Sequence, residues 1–138
     1  MHINIAALRL PENQVDIWCA GLPDVWDDGL FHSYYEILTS EETERYTHFV
    51  FEKDRRQFLL TRALERDVLS RYLEVKPAAL VFTRNKYGKP AIAKPNGCPI
   101  TYSLSHTKGL SVCAVAPSGD VGVDVESLQR NNSHQDIS

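Results

Sequence analysis

Asp124 and Glu126 are the residues whose type and spacing most directly invite chemistry. They close the run Val121-Gly122-Val123-Asp124-Val125-Glu126, in which valines alternate with a glycine and two acids. In an element of period two the valines share one face and the acids the other. Residues two apart on a strand lie about 6.6 Å from each other, so both carboxylates can converge on one hard cation. Oxygen donors select Mg²⁺, Mn²⁺ or Ca²⁺, and Mg²⁺ commonly takes one or two carboxylates together with substrate phosphates. Gly122, on the same side as the acids, leaves room there for a ligand or another backbone. Acids on the wet face of an edge strand are also commonplace, so the pair by itself reads as a solvated surface too.

Two further groups suggest anion chemistry. The stretch Arg84-Asn85-Lys86-Tyr87-Gly88-Lys89-Pro90 packs cations around residues that favour tight turns. Such a loop can hold a phosphate through free N–H groups and ammonium charges, although a solvated basic turn is the simpler reading. His106 follows the strand-like run Ile100 to Ser105 and neighbours Lys108 and Gly109. There it is more exposed than a core histidine and able to donate to a phosphate oxygen. Ser105 and His106 make a poor hydrolase pair, because strand neighbours point to opposite faces and no partner acid is identifiable.

The elements that must position these groups follow from periodicity. Val15 to Ala20 reads as a strand, preceded by a possible short strand in Met1 to Leu10; Trp18 and Trp26 read as packing residues. Asp27 to Leu38 is weakly helical. Thr39 starts a helix with Glu42 reaching back as a capping box. A longer helix spans about Lys53 to Leu73, with a stripe of Leu60, Ala63, Leu64 and Val68 widened by Phe58, Leu69 and Tyr72. So wide a stripe predicts cover on more than one side. Its arginines, Arg55, Arg56, Arg62, Arg66 and Arg71, read as solvated or paired with Glu65, Asp67 and Glu74, unless one or two face an anion. Ala79 to Thr83, Ile100 to Ser105, Leu110 to Ala116 and the D-x-E run read as strands, with a turn at Pro117 to Asp120. The predicted class is α+β: an antiparallel sheet with helices packed on one face.

Bulk properties narrow the function. The chain has 138 residues, 43% hydrophobic and 24% charged, with a formal charge of −3. These are globular values, and nothing in the charge suggests a nucleic-acid partner. No apolar run is long enough to span a bilayer, and the first ten residues lack the layout of a secretion signal. Cys19, Cys98 and Cys113 form neither a disulfide framework nor a zinc spacing, and Cys113 reads as a small buried hydrophobe. A cytoplasmic protein is expected.

A basic N-x-x-G-K-P loop (Asn85 to Pro90), an L-S-H strand (Leu104 to His106) and a G-V-D-V-E strand (Gly122 to Glu126) occur in that order. With the arginine-rich stretch Glu52 to Phe58 before them, they make residues 15 to 126 resemble the 4′-phosphopantetheinyl transferases of the large, Sfp-like class. The resemblance implies transfer of the phosphopantetheine arm of coenzyme A to a serine of an acyl or peptidyl carrier protein, with release of adenosine 3′,5′-bisphosphate. It implies Mg²⁺ on Asp124 and Glu126, the predicted catalytic and metal residues. It also implies coenzyme A contacts from Lys89 and His106 to phosphates, from Gly88 and Ser105 to the nucleotide, and from Arg56 to the 3′-phosphate.

Members of that class are longer, built from two similar halves, and continue past the D-x-E strand into a helix bearing W-x-x-K-E. No such motif occurs in this sequence, which ends at Ser138. The expected organisation is therefore an N-terminal transferase-like lobe over 1–105, the start of a second lobe over 106–126, and a fraying polar tail over 127–138. Little or no turnover is expected of the 138-residue chain, and two copies could self-associate through faces that a second half would cover. Two other readings remain open. An unrelated Mg²⁺-dependent phosphate enzyme would bind ATP as well as coenzyme A. A non-catalytic binding module, using the wide Phe58 to Tyr72 surface, would keep its partner when Asp124 is mutated.

Overall fold

The computed structural model describes residues 10–23 and 27–117. Within them the chain runs β1 (Asp16–Gly21), α1 (Asp28–Tyr35), α2 (Ser40–Thr47), α3 (Glu52–Leu73), a 3₁₀ turn (Pro77–Ala79), β2 (Val81–Arg84), β3 (Pro90–Lys94), β4 (Thr101–Thr107) and β5 (Leu110–Ala116). The expected strand near the N-terminus, Trp26, the turn beyond Pro117, the D-x-E strand with Asp124 and Glu126, and the polar tail lie outside the described residues.

The helix starts follow from their caps. Asp27 Oδ1 accepts the Leu30 N–H at 2.7 Å to open α1. At α2 the expected capping box is formed: Thr39 Oγ1 accepts from Glu42 N at 3.3 Å and Glu42 Oε1 from Thr39 N at 3.0 Å. The long helix α3 ends where Glu74 turns left-handed at φ 54°, so its stop precedes Pro77. The backbone then makes the 3₁₀ turn before β2, which begins two residues later than the sequence suggests.

Three strands form an antiparallel sheet in the order β1-β5-β4, while β2 and β3 form a separate antiparallel hairpin. The β4–β5 hairpin runs straight through the division expected between residues 105 and 106, with Ser105 opposite Val112 and His106 opposite Ser111. His106 thus lies inside a strand rather than after one. The helix α3 packs on one face of the sheet, and Val68, Leu69, Tyr72, Leu80, Tyr102, Cys113 and Val115 form the core between them. Burying leucines such as Leu59, Leu60 and Leu69 contributes about 1.5–3 kcal/mol each; all three are essentially sealed. Val112, Ala114 and Ala116, on the other face of β5, are buried as well. This explains why Val112 to Ala116, after the polar Ser111, reads as an unbroken apolar run instead of an alternating one.

Cross-links tie helix to sheet. Trp18 Nε1 donates to Tyr72 Oη at 2.7 Å, and Tyr72 Oη donates to Asp16 Oδ2 at 2.6 Å. Burial, with the hydrogen bond to Asp16, pushes the Tyr72 phenol up to about 12, so this link keeps its proton. Arg66, almost fully buried, grips Glu42 through Nε at 2.7 Å and Nη2 at 3.1 Å. Its Nη1 donates to the carbonyls of Pro77 at 2.9 Å and Leu80 at 2.8 Å. One guanidinium thereby joins α2, α3 and the segment leading into β2. No helix among the described residues is long and apolar enough to cross a membrane.

Candidate anion-binding site

The β4–β5 turn is pinned to α3 by a buried polar cluster. Gln57 accepts the Gly109 N–H at 2.9 Å and donates to Ser111 Oγ at 2.9 Å. Thr61 Oγ1 donates to the Gln57 carbonyl at 2.9 Å and shares a 2.7 Å hydrogen bond with Ser111 Oγ. Gly109, at φ 75°, supplies the left-handed turn residue. Because His106 pairs with Ser111 across the hairpin, this cluster also fixes where His106 stands above the helix.

His106 opens onto a cleft of about 290 Å³ that Arg45, Arg62 and Arg84 also line, together with Phe49, Phe58 and Asp54. Phe58 is the platform: the guanidinium of Arg45 lies 5.5 Å and that of Arg62 6.0 Å from its ring centroid. Among the described residues, no carboxylate forms an ion pair with Arg45 or Arg84. Three guanidinium groups and an imidazole thus face one acid, Asp54, across the cleft. Such a field favours an anion, and planar guanidinium forks suit phosphate oxygens.

Arg62 is held from behind. Its Nη1 stands 2.8 Å from Oε1 of Glu65, a carboxylate with no exposed surface. The contact is off the hydrogen-bond axis, so Oε1 has the charge contact without an aligned donor. Glu65 Oε2 accepts a 2.7 Å hydrogen bond from Tyr102 Oη. Burial raises the pKa of Glu65, opposed by Arg62 and by the Tyr102 hydrogen bond. Burial, and the neighbouring Glu65, push the Tyr102 phenol far up.

The remaining sequence-selected residues are dispersed. Gly88, at φ 83°, sits in the β2–β3 turn. Lys89 is half-buried and lines a second cleft, of about 230 Å³, with Asn85, Pro90 and Tyr102. The N–H groups expected to cradle an anion in this turn are already engaged: Tyr87 N and Lys89 N donate to Asn85 Oδ1 at 2.8 and 2.9 Å, and Gly88 N donates to the Asn85 carbonyl at 2.9 Å. The turn therefore offers its cations rather than an N–H nest, and Arg84 itself donates to the Gly88 carbonyl at 2.7 Å. Ser105 points to the face opposite His106. Arg56 lies near the start of α3, 3.4 Å from Glu52, and does not line the His106 cleft. Among the described residues there is no cluster of three or more metal-ligating side chains.

Arg45 carries site geometry that the sequence left unassigned, whereas Glu65, expected as an ion-pair partner of the helix arginines, does pair with Arg62 but from a fully buried position. Arg45 has no motif to announce it, only a position in the last turn of α2 that faces α3. For Glu65 the one signal is its spacing three residues after Arg62.

The fold is an antiparallel α+β arrangement like that of a solved holo-(acyl-carrier-protein) synthase from Bacillus anthracis in complex with CoA (3′,5′-ADP). The TM-score is 0.56 at 19% identity, over 73% of this chain and 91% of that one. The family model "4′-phosphopantetheinyl transferase, N-terminal" matches residues 27–118, and the chain belongs to the 4′-phosphopantetheinyl transferase family. It is 29% identical to the 4′-phosphopantetheinyl transferase HetI of a Nostoc species, over 88% of this chain and 51% of that protein. A phosphopantetheinyl transferase of a Thraustochytrium species is 35% identical over 72% of this chain and 35% of its own length. The chain therefore spans about half the length of the first relative and about a third of the second.

Proposed function

We propose that this chain forms the coenzyme A-gripping part of a 4′-phosphopantetheinyl transferase. The observation that carries the reading is the cleft of Arg45, Arg62, Arg84 and His106 beside the platform of Phe58. Coenzyme A carries one phosphate monoester, its 3′-phosphate, whose double charge suits the densest cluster of cations. Arg45, Arg62 and His106 are our assignment for that group. They are favoured over Arg56, whose charge is balanced by Glu52 outside the cleft. Lys89, on its neighbouring cleft, is assigned to another phosphate, with Gly88 and Ser105 against the nucleotide.

In the proposed reaction the serine oxygen of an acyl or peptidyl carrier protein bonds to the pantetheine-bearing phosphorus while adenosine 3′,5′-bisphosphate departs. Asp124 and Glu126 offer the hard oxygen pair that suits Mg²⁺, which when bound would neutralise pyrophosphate charge. This chain's own cations hold and orient the nucleotide end. Val50 and Phe51, 82% and 64% exposed at the bend between α2 and α3, offer apolar surface for a protein partner. Ile17, 55% exposed on β1, offers surface for self-association. The three free cysteines fit a reducing compartment such as the cytoplasm.

The test is calorimetric titration of the chain with coenzyme A, dephospho-coenzyme A and ATP, each with and without Mg²⁺. Coenzyme A should bind at least about tenfold more tightly than the dephospho form, a difference of about 1.4 kcal/mol. His106→Ala should abolish that preference. Equal affinity for the two forms would overturn the assignment of the cleft, and equal affinity for ATP would favour general phosphate chemistry instead.

A further inference from the structure

A fully buried carboxylate is an expensive way to stabilise a helix. Replacing a buried ion pair with apolar groups of similar size is often neutral or stabilising. Glu65 nonetheless occupies the interior of α3 with no exposed surface, and it connects two things: the sheet, through Tyr102 Oη at 2.7 Å, and the cleft, through Arg62 Nη1 at 2.8 Å. Tyr102 is itself buried in the core, so the chain Tyr102–Glu65–Arg62 runs from fixed structure to a side chain at the cleft wall. Arg62 is the cleft arginine with an internal counter-charge; Arg45 and Arg84 have no ion-pair partner among the described residues. A free arginine loses much side-chain entropy on binding a ligand, whereas one already held loses less.

We infer that Glu65 is a positioning residue, which with Tyr102 holds the Arg62 guanidinium ready for a phosphate monoester in the cleft. The inference rests on the reading of that cleft as an anion site. It runs against simple charge counting. Removing a negative charge beside Arg62 should, on Coulomb's law alone, strengthen anion binding. If Glu65 acts by position, its loss weakens binding instead. The off-axis contact is consistent with this role, because an arginine tethered through charge at one nitrogen keeps its other N–H groups for the ligand.

The experiment titrates the full chain with adenosine 3′,5′-bisphosphate and with adenosine 5′-monophosphate, which lacks the second phosphate. Wild type, Glu65→Gln, Arg62→Ala and the double variant are compared. Glu65→Gln should bind the bisphosphate about tenfold more weakly, equivalent to about 1.4 kcal/mol, with monophosphate affinity changed less than about twofold. In the Arg62→Ala background the same substitution should have no further effect, since a residue acting through another shows full coupling in a double-mutant cycle. A general structural role would lower both affinities and persist without Arg62. In wild type the Arg62 N–H resonances should show slowed guanidinium rotation that Glu65→Gln releases.

Unchanged or tighter bisphosphate binding by Glu65→Gln would overturn the inference, as would an undiminished effect in the double variant. If Glu65→Gln does not fold, Tyr102→Phe takes its place, with the same ligand selectivity and loss of coupling expected. Failure of the underlying cleft reading is separately visible. Wild type itself would then not prefer the bisphosphate, and the inference would fall with it.

Discussion

The His106 cleft and the β2–β3 hairpin both carry cations, but they hold them differently. In the cleft, Arg62 and His106 stand on α3 and β4, and those elements are braced by Gln57, Thr61 and Ser111. In the hairpin, Lys86 and Lys89 ride on a turn organised chiefly by Asn85, through bonds to its own neighbours, with Arg84 donating to the Gly88 carbonyl. The first arrangement fixes positions to within the tolerance of packed elements; the second fixes little beyond the turn. A site on regular elements can discriminate by geometry, whereas charges on a turn mainly add field. The two regions are joined through Arg66, which reaches from α3 to the carbonyls before β2.

Three substitutions would break or sharpen that contrast. The largest effect is expected from Arg66→Ala, which leaves Glu42 without its partner and strands two carbonyls. The predicted loss is about 3–5 kcal/mol of unfolding free energy, measured by urea denaturation. Amide exchange should accelerate in α3 and in the hairpin together; loosening of the hairpin alone would show that the two regions are not coupled through this residue.

Tyr102→Phe keeps the ring that packs against Phe82 of β2 and removes only the hydroxyl held by Glu65, so it should cost about 1–3 kcal/mol, the penalty of leaving a buried acceptor without its donor. It also carries a pH signature. Burial raises the folded-state pKa of Glu65, so the native chain holds that proton more tightly than the unfolded chain, whose ordinary value is 4.5. Stability from this group is therefore full below 4.5 and is lost as pH rises through the folded value. The Tyr102 hydrogen bond opposes the rise, so removing it should carry the decline to higher pH. The difference in unfolding free energy between wild type and Tyr102→Phe should widen with rising pH. A pH-independent gap would count against a role for Glu65 in it.

Gly88→Ala has the smallest expected effect. A Cβ at Gly88 meets nothing within 4 Å, so the cost is the left-handed backbone alone, about 1–2 kcal/mol. Exchange should accelerate within β2 and β3, while that of α3 stays as in wild type.

The contrast also explains what the sequence disclosed. Local signals were readable: the Thr39–Glu42 box, the span of α3, the run that became β5, and the turn chemistry of Asn85 and Gly88 all depend on near neighbours. Family membership was readable too, because its motifs are ordered along the chain. The cleft was not, because Arg45, Arg62 and His106 come from α2, α3 and β4 and meet only when these pack. Periodicity placed Phe58 and Leu64 on the apolar stripe, and both are only half-buried, while it passed over Leu59 and the charged Glu65, which are sealed. A glutamate on a helix reads as surface until its partners are seen. The same turn residues that made the N-x-x-G-K-P loop recognisable also engage the N–H groups that the loop was expected to offer.

Cys113 gives the centre of the molecule a clock. It lies in the middle strand opposite Trp18, without exposed surface, and burial pushes its thiol up to about 12. Cys19, one step along on β1, is exposed, and Cys98 is partly so. A thiol reagent therefore meets two cysteines at the surface and the third only when β1 and α3 part from β5. Its rate of capture counts those openings, and when opening is fast relative to capture it converts to the free energy that holds the sheet shut. One unmodified chain thus reports its own breathing at the strand that carries the rest of the fold.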